Sequence, residues 1–459
     1  MIDALEPEQN DALMPDEEEM DEDEPSLTTI RKAKVLNTDP FRVALSLSPF
    51  SLKQFDEGYT FKVGDKTATT PIELQQIYKD LGSTEMFVRV ATKRHITYME
   101  DGVTPKDSTD GKYDENANVH TFDQVMRTCK IAAQLNIPIN PEIMCAYIYM
   151  DMDGTQAPRF YKEDYPELYA YPDFARIMKN GEAKWGELSL KDICTVLEIY
   201  GEFIADSILA TGVTVNDWNL GNEANFGFAG IGIGMPNAFD HKLAKAGQMK
   251  RYLSSLFSVW WLKKHVWKYE AQTLASVQRG IRKAYHHQIE QGLMTQADSA
   301  KIKFSTHIAT VVTTPRSCAS FFRYMKKHGY DMQTAGISYY PSAPSMNPKR
   351  WKLLTHTVIR INKKCHLPVF IGEFSYPSEK MVGPFAGWNK SLKGYKKDQQ
   401  GQADLYRRVI SWGKNHNVAG IRYWAPDYEG EWYPMSMFEF EDKVGTAKQI
   451  LINHKEIVQ

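Results

Sequence analysis

At 459 residues the chain could hold two or three average domains, but barrels with insertions reach this length as one unit, so size alone sets no boundary. Apolar residues make up 42% and aromatics 12%, enough for a large core, and ten Trp with 24 Tyr supply flat faces able to stack on sugar rings. The net charge is −2, the Lys and Arg are scattered and form no nucleic-acid recognition element, the cysteines Cys129, Cys145, Cys194, Cys318 and Cys365 form no Cys-x-x-Cys pair, and no run of about 18 apolar residues could span a bilayer.

The first 25 residues carry twelve of the 57 acids and no Lys or Arg, leaving the remainder with 45 acids against all 55 basic residues. A run such as Asp16-Glu-Glu-Glu-Met-Asp-Glu-Asp-Glu24 repels itself and has little to bury. Residues 1–38 are therefore expected to be a disordered acidic leader, and 39–459 the folded body. The body alternates short apolar or β-branched runs with amphipathic stretches. Pattern predicts strand Phe41–Ser48, helix Pro71–Leu81, strand Met86–Thr92, helix Phe122–Leu135, strand Ile139–Ala146 and helix Leu190–Ala210. Strand Asp217–Glu223 and a helical region from about Gly247 to Gln291 come next. Strand Ile302–Ala309, helix Cys318–His328, strand Ala335–Pro341 and helix Lys349–Cys365 follow, then strand Pro368–Tyr376, helix Gln402–Lys414 and strand Val418–Pro426.

Strict alternation demands parallel strands with right-handed crossovers, and eight such units close a (β/α)8 barrel. The rival, an open doubly wound sheet, should carry a Gly-rich phosphate turn after an early strand. Gly227–Gly234 is glycine-rich but follows the fourth strand and opens no helix directly. Long connections follow the second, third, fourth and seventh strands (93–120, 147–189, 224–246, 377–399), all on the carboxyl side where barrel enzymes place their sites.

Two glutamates end strand-like runs on that face: Glu223 in Asp217-Trp-Asn-Leu-Gly-Asn-Glu223, and Glu373 in Leu367-Pro-Val-Phe-Ile-Gly-Glu373-Phe-Ser-Tyr-Pro377. Carboxyls on opposite sides of a glycosidic linkage can hydrolyse it, one donating a proton and the other attacking or activating water. A separation of about 5 Å gives retention through a covalent intermediate, and roughly 6.5–9.5 Å gives inversion.

Asn222-Glu223 on the fourth strand with a glutamate on the seventh resembles the large clan of retaining (β/α)8 glycoside hydrolases. The segments Gly336-Ile-Ser-Tyr-Tyr-Pro341, Pro368-Val-Phe-Ile-Gly-Glu373-Phe-Ser-Tyr-Pro377, Gly401-Gln-Ala-Asp-Leu-Tyr-Arg407 and Gly420-Ile-Arg-Tyr-Trp-Ala-Pro426 resemble, in order and spacing, the arabinogalactan endo-1,4-β-galactanases of family 53. The resemblance covers most of the barrel loosely and about 100 residues closely. It implies that Glu223 is the general acid/base, Glu373 the nucleophile and Asn222 a partner of the sugar 2-hydroxyl. It further implies that Arg89 keeps Glu373 ionised, that Tyr339 or Tyr340 donates to the same carboxylate, that His307 faces the cleft, and that Trp424 floors a sugar subsite. The chain departs from the family at Met144-Cys-Ala-Tyr-Ile-Tyr-Met-Asp151 after the third strand, at Trp424-Ala425-Pro426 on the eighth, where the family has Trp-Glu-Pro, and on the second strand, which lacks Arg-x-Trp-Asn.

The expected activity is a retaining endo-hydrolase of a β-linked plant polysaccharide, β-1,4-galactan or arabinogalactan first, with a β-glucanase, a β-mannanase or a non-catalytic carbohydrate-binding barrel as alternatives. Trp351, Trp388 and Trp432 are further candidate sugar platforms. No cofactor or metal is required by this mechanism. The chain is expected to be a monomer that binds polysaccharide and no nucleic acid; its N-terminus lacks a signal-peptide order, so it is either intracellular or a mature form whose signal has been removed, with an extracellular or cell-surface location expected.

Overall fold

The computed structural model describes residues 35–37, 39–109, 112–152, 154–245, 258–311, 313–345 and 349–459. The acidic leader, apart from 35–37, and the first part of the helical region expected from Gly247 lie outside these residues.

Eight strands run parallel around one axis: β1 (Arg42–Ala44), β2 (Met86–Val90), β3 (Ile139–Ile143), β4 (Trp218–Leu220), β5 (Phe304–Ala309), β6 (Thr334–Tyr339), β7 (Val369–Phe374) and β8 (Val418–Tyr423). Their hydrogen-bonded order is β1-β8-β7-β6-β5-β4-β3-β2, so from β2 to β8 each strand pairs with its neighbour in sequence, and β1 closes on β8. The eight expected strands are all present, and the fold is a (β/α)8 barrel. The seam between β1 and β2 is joined by individual contacts: Thr84 N donates to Val43 O at 2.9 Å, Val43 N to Thr84 Oγ1 at 2.8 Å and Phe87 N to Ser46 Oγ at 3.1 Å.

The outer ring holds α1 (Pro71–Asp80), α2 (Phe122–Gln134), α3 (Leu190–Leu209), α4 (Lys268–Glu290), α5 (Pro315–Lys327), α6 (Arg350–Cys365) and α7 (Gln399–Lys414). Several start on a side-chain cap. Thr70 accepts from Glu73 N and the Glu73 carboxylate accepts from Thr70 N, a reciprocal box that satisfies donors the first turn leaves free. Ser189, Thr314 and Asp398 cap α3, α5 and α7 in the simpler one-way manner. A π-helical turn, Lys263–Trp267, leads into α4, and two short helices, Gln449–Ile452 and His454–Val458, take the place of the eighth.

Sequence pattern missed the small elements in the loops. A four-stranded sheet pairs the hairpin after β1 (Thr60–Val63, Lys66–Ala68) with the one after β8 (Phe438–Glu441, Val444–Ala447). It is held by edge-on contacts of Phe61 with Phe438 and Phe440. The connection after β3 carries the hairpin Met150–Asp151/Gly154–Thr155 and the helices Pro166–Tyr169 and Pro172–Ile177. All five cysteines are free.

Candidate active site

The barrel interior is polar, and it is built by alternation. On β2 Arg89 points inward; opposite it in register on β3 stands Glu142, and opposite Glu142 on β4 stands Asn219. Glu142 is fully buried and accepts from Arg89 Nε at 2.5 Å, Asn219 Nδ2 at 2.7 Å and Arg422 at 3.2 Å. Burial alone would raise its pKa, but the charges of Arg89 and Arg422 and the hydrogen bond from His307 outweigh burial and hold it well below the usual carboxylate range.

On this layer rest the two glutamates. β4 ends at Leu220, three residues earlier than the sequence pattern indicates, and Glu223 sits in a tight turn at φ 46°, a left-handed conformation uncommon outside glycine. Asn225 fixes that turn: its side chain accepts from Ala309 N at 2.6 Å and donates to Ala309 O at 2.9 Å, tying it to the end of β5. Cys145 (φ 47°) and Ala425 (φ 49°) turn the chain the same way just past β3 and β8. Strained turns thus cluster at the mouth of the barrel, where such strain is commonly functional.

Glu373 reaches the same mouth through a bulge. The register runs Ile337↔Ile371 and then Ser338↔Glu373, so Gly372 is an extra residue in β7, and the β7–β8 pairing shifts at the same place. Phe370 faces the barrel interior, against Arg42 and Arg422. Plain alternation from there would turn Glu373 outward, and the inserted glycine restores it to the interior and sends Phe374 outward to stack on Tyr406 of α7.

Glu373 is only 5% exposed and accepts from Arg89, from the Tyr340 hydroxyl at 2.7 Å and from Ser338 Oγ at 3.5 Å. Ser338 also bears on the Glu223 carboxyl, favouring its charged form. Burial, reinforced by the Glu373 charge, pushes Glu223 well above the ordinary carboxylate range, against the opposing pull of Ser338 and Arg89. The charged form of Glu223 is thus disfavoured, while Glu373 is met by several donors. Glu223, Tyr149 and Trp424 are half-buried and keep the pair open to solvent.

The other expected residues divide. Asn222 is buried, accepts from Arg89 at 3.0 Å and donates to Met150 O at 2.6 Å. His307 lies beneath the glutamates with Nδ1 3.2 Å from Glu142 and Nε2 3.4 Å from Glu223 N, a pattern in which Nδ1 carries the proton and Nε2 accepts. Space for its ring exists because Gly336 and Gly372 lack side chains: a Cβ on Gly336 would come within 2.3 Å of His307 Cβ. Trp424 lies over the Arg89 guanidinium, 4.1 Å from the ring centre. Of the two tyrosines, Tyr340 is at the site and Tyr339 is not. Adjacent strand residues face opposite ways, and the Tyr339 hydroxyl donates to Arg350 O at the start of α6 at 3.2 Å. Trp388 and Trp432 pack edge-on with Tyr340 and Phe385 into an aromatic wall beside Glu373. Trp351 belongs to the outer ring, against Trp412.

Sequence reasoning passed over Glu142, Arg422, Ser338 and Tyr149. Tyr149 stacks on His120 with ring centres 6.0 Å apart, and burial together with Asp151 raises its pKa well above the usual phenol value. For Glu142 and Arg422 the available signal is a charged residue in the middle of an apolar strand.

The sequence profile of glycosyl hydrolase family 53 matches residues 170–457, a span holding β4 to β8 and both glutamates. The chain belongs to glycosyl hydrolase family 53. This family 53 chain is similar in fold to the catalytic domain of an Ignisphaera aggregans family 53 protein, with TM-score 0.59, 16% identity, and 92% of this chain and 98% of that one covered. A fungal β-1,4-galactanase structure superposes with TM-score 0.59 and 13% identity over 91% of this chain and 99% of that one. A comparison with curated proteins finds no match. The chain is thus a glycoside hydrolase with galactanase-like architecture, acting on plant polysaccharide, and no helix among its described residues is long and apolar enough to cross a membrane.

Proposed function

We propose that the protein is a retaining endo-hydrolase of β-1,4-galactan or arabinogalactan, acting outside the cell or at its surface as a monomer whose catalytic domain is residues 39–459. The observation that carries the reading is the opposite chemistry imposed on two neighbouring carboxyls. Glu223, with its raised pKa, is the general acid that protonates the leaving oxygen and later the base that activates water. Glu373, fully engaged as an acceptor, is the nucleophile. Unlike surroundings at two neighbouring carboxyls support this division between acid and nucleophile.

Asn222, with its oxygen held by Arg89, has an amide N–H left for the sugar 2-hydroxyl, a contact that strengthens as charge develops at the anomeric carbon. Trp424 floors the subsite of the reacting sugar, and the Tyr340, Trp388 and Trp432 wall borders it. Galactan is favoured by the family and by the galactanase named among the similar structures. The test is product sizing on galactan, arabinogalactan, mannan, xylan and mixed-linkage glucan. Galactan is expected to yield oligosaccharides, and Glu223→Gln and Glu373→Gln each to lose at least about 10³-fold in kcat with the fold intact. Cleavage of glucan, mannan or xylan alone rejects the substrate, and activity within tenfold of wild type in either variant rejects the roles.

A further inference from the structure

Away from the cleft, α3 and α4 pack backbone to backbone on the outer ring. Gly201 and Gly280 permit this approach, since a Cβ on the first would meet Val277 O at 2.5 Å and one on the second Glu198 O at 1.9 Å. On α3, Glu202 and Asp206 lie one turn apart on the same face, and His287 on α4 lies two turns past Gly280. Ligand atoms of these three side chains all fall within 4.8 Å of one another.

His287 Nδ1 is 3.6 Å from Glu202 Oε1 and 3.7 Å from Asp206 Oδ2. These spacings are too long for hydrogen bonds. They approach the edge, about 3.3–3.4 Å, of a tetrahedron of nitrogen and oxygen ligands around zinc. A second observation agrees. Asp206 Oδ1 is buried with no hydrogen-bond partner among the described residues, and the nearby cations Arg279 and Lys283 are both turned to Glu198. The Glu202 side chain is only 9% exposed, so its charge calls for a partner. Tyr171 donates to Glu202 Oε1 at 3.4 Å, the kind of outer contact that orients a ligating carboxylate.

We propose that Glu202, Asp206 and His287 bind a divalent transition-metal ion, zinc first, with water completing the coordination, and that the ion staples α3 to α4. Imidazole among the ligands favours a transition metal over calcium or magnesium. The half-buried His287 leaves the ion a route from solvent.

The full-length protein, stripped with a chelator, is titrated with Zn2+ alone by calorimetry and with Co2+ by visible absorption. One saturable zinc site, the bands of low-coordinate Co2+ and a zinc-dependent rise in Tm are expected. His287→Gln and Asp206→Asn should each weaken zinc binding at least tenfold and abolish the Tm rise, leaving circular dichroism and hydrolysis unchanged. Absence of saturable zinc binding, wild-type affinity in both variants, or equal binding of Ca2+ would overturn the proposal without touching the glycosidase reading.

Discussion

Tyr340, Ser338 and Arg89 all approach Glu373, while Glu223 meets mainly Ser338 and the repulsion of its neighbour. Tyr340→Phe removes one donor from the proposed nucleophile and is expected to lower kcat about 10- to 100-fold with little change in KM, checked by steady-state kinetics. Because the raised pKa belongs to the proposed acid, kcat/KM should fall as pH rises through the folded Glu223 pKa, and this alkaline limb should vanish with a substrate whose leaving group needs no proton. A limb that persists unchanged would assign it to another group. Glu270 titrates for a different reason. It is fully buried on α4 with neither carboxyl oxygen partnered among the described residues, and burial raises its pKa well above the usual value. It therefore folds protonated, so its contribution to stability is complete below the unfolded carboxyl pKa of about 4.3 and is lost as pH rises from there toward the folded value. Glu270→Gln should narrow the difference between urea midpoints measured at pH 4 and pH 8, and an unchanged difference would exclude it as the source. At this scale Glu223 and Glu373 could be named from sequence because each ends an apolar strand run, and Arg89, Asn222, His307 and Trp424 through the resemblance to family 53. The choice between Tyr339 and Tyr340 could not, because it depends on strand phase, and one sequence leaves the phase open by a residue.

Elements explain why some of this was hidden. A glycine inside a strand is a known mark of a bulge, yet Gly372 in Phe370-Ile-Gly-Glu373 reads equally well as a regular strand. Only the shift of register against both β6 and β8 shows that it turns Glu373 inward. Deleting Gly372 should therefore abolish hydrolysis while leaving much of the barrel's circular dichroism in place. Gly336→Ala tests the neighbouring constraint. Its methyl would lie 2.3 Å from His307 Cβ, so a loss of about 1–3 kcal/mol or more in denaturant unfolding is expected, against a smaller loss for Gly372→Ala, where the nearest His307 atom is 3.3 Å away. The strands and the helix order were legible because parallel strands covered on both faces read as apolar runs between amphipathic stretches. The small sheet joining the hairpins after β1 and β8 was not, because its strands of three or four residues are too short to set a period.

Across the whole molecule, the barrel places charge where a soluble core usually has none. Glu142, Arg89 and Arg422 are mutually paired and almost fully buried, so Glu142→Ala leaves two cations facing each other and should cost about 3–5 kcal/mol of stability. The same network holds Arg89 under Glu373 and thereby links the packing of β2, β3 and β8 to the chemistry at the mouth. The claim on which the rest depends is that Glu223 and Glu373 act on one anomeric carbon by double displacement. Reaction with an activated 2-deoxy-2-fluorogalactoside, followed by peptide mass spectrometry, tests it most directly. The account predicts one sugar ester on Glu373, accumulating more slowly in Arg89→Lys. A label on another residue, or turnover with inverted anomeric configuration and no covalent adduct, would contradict it.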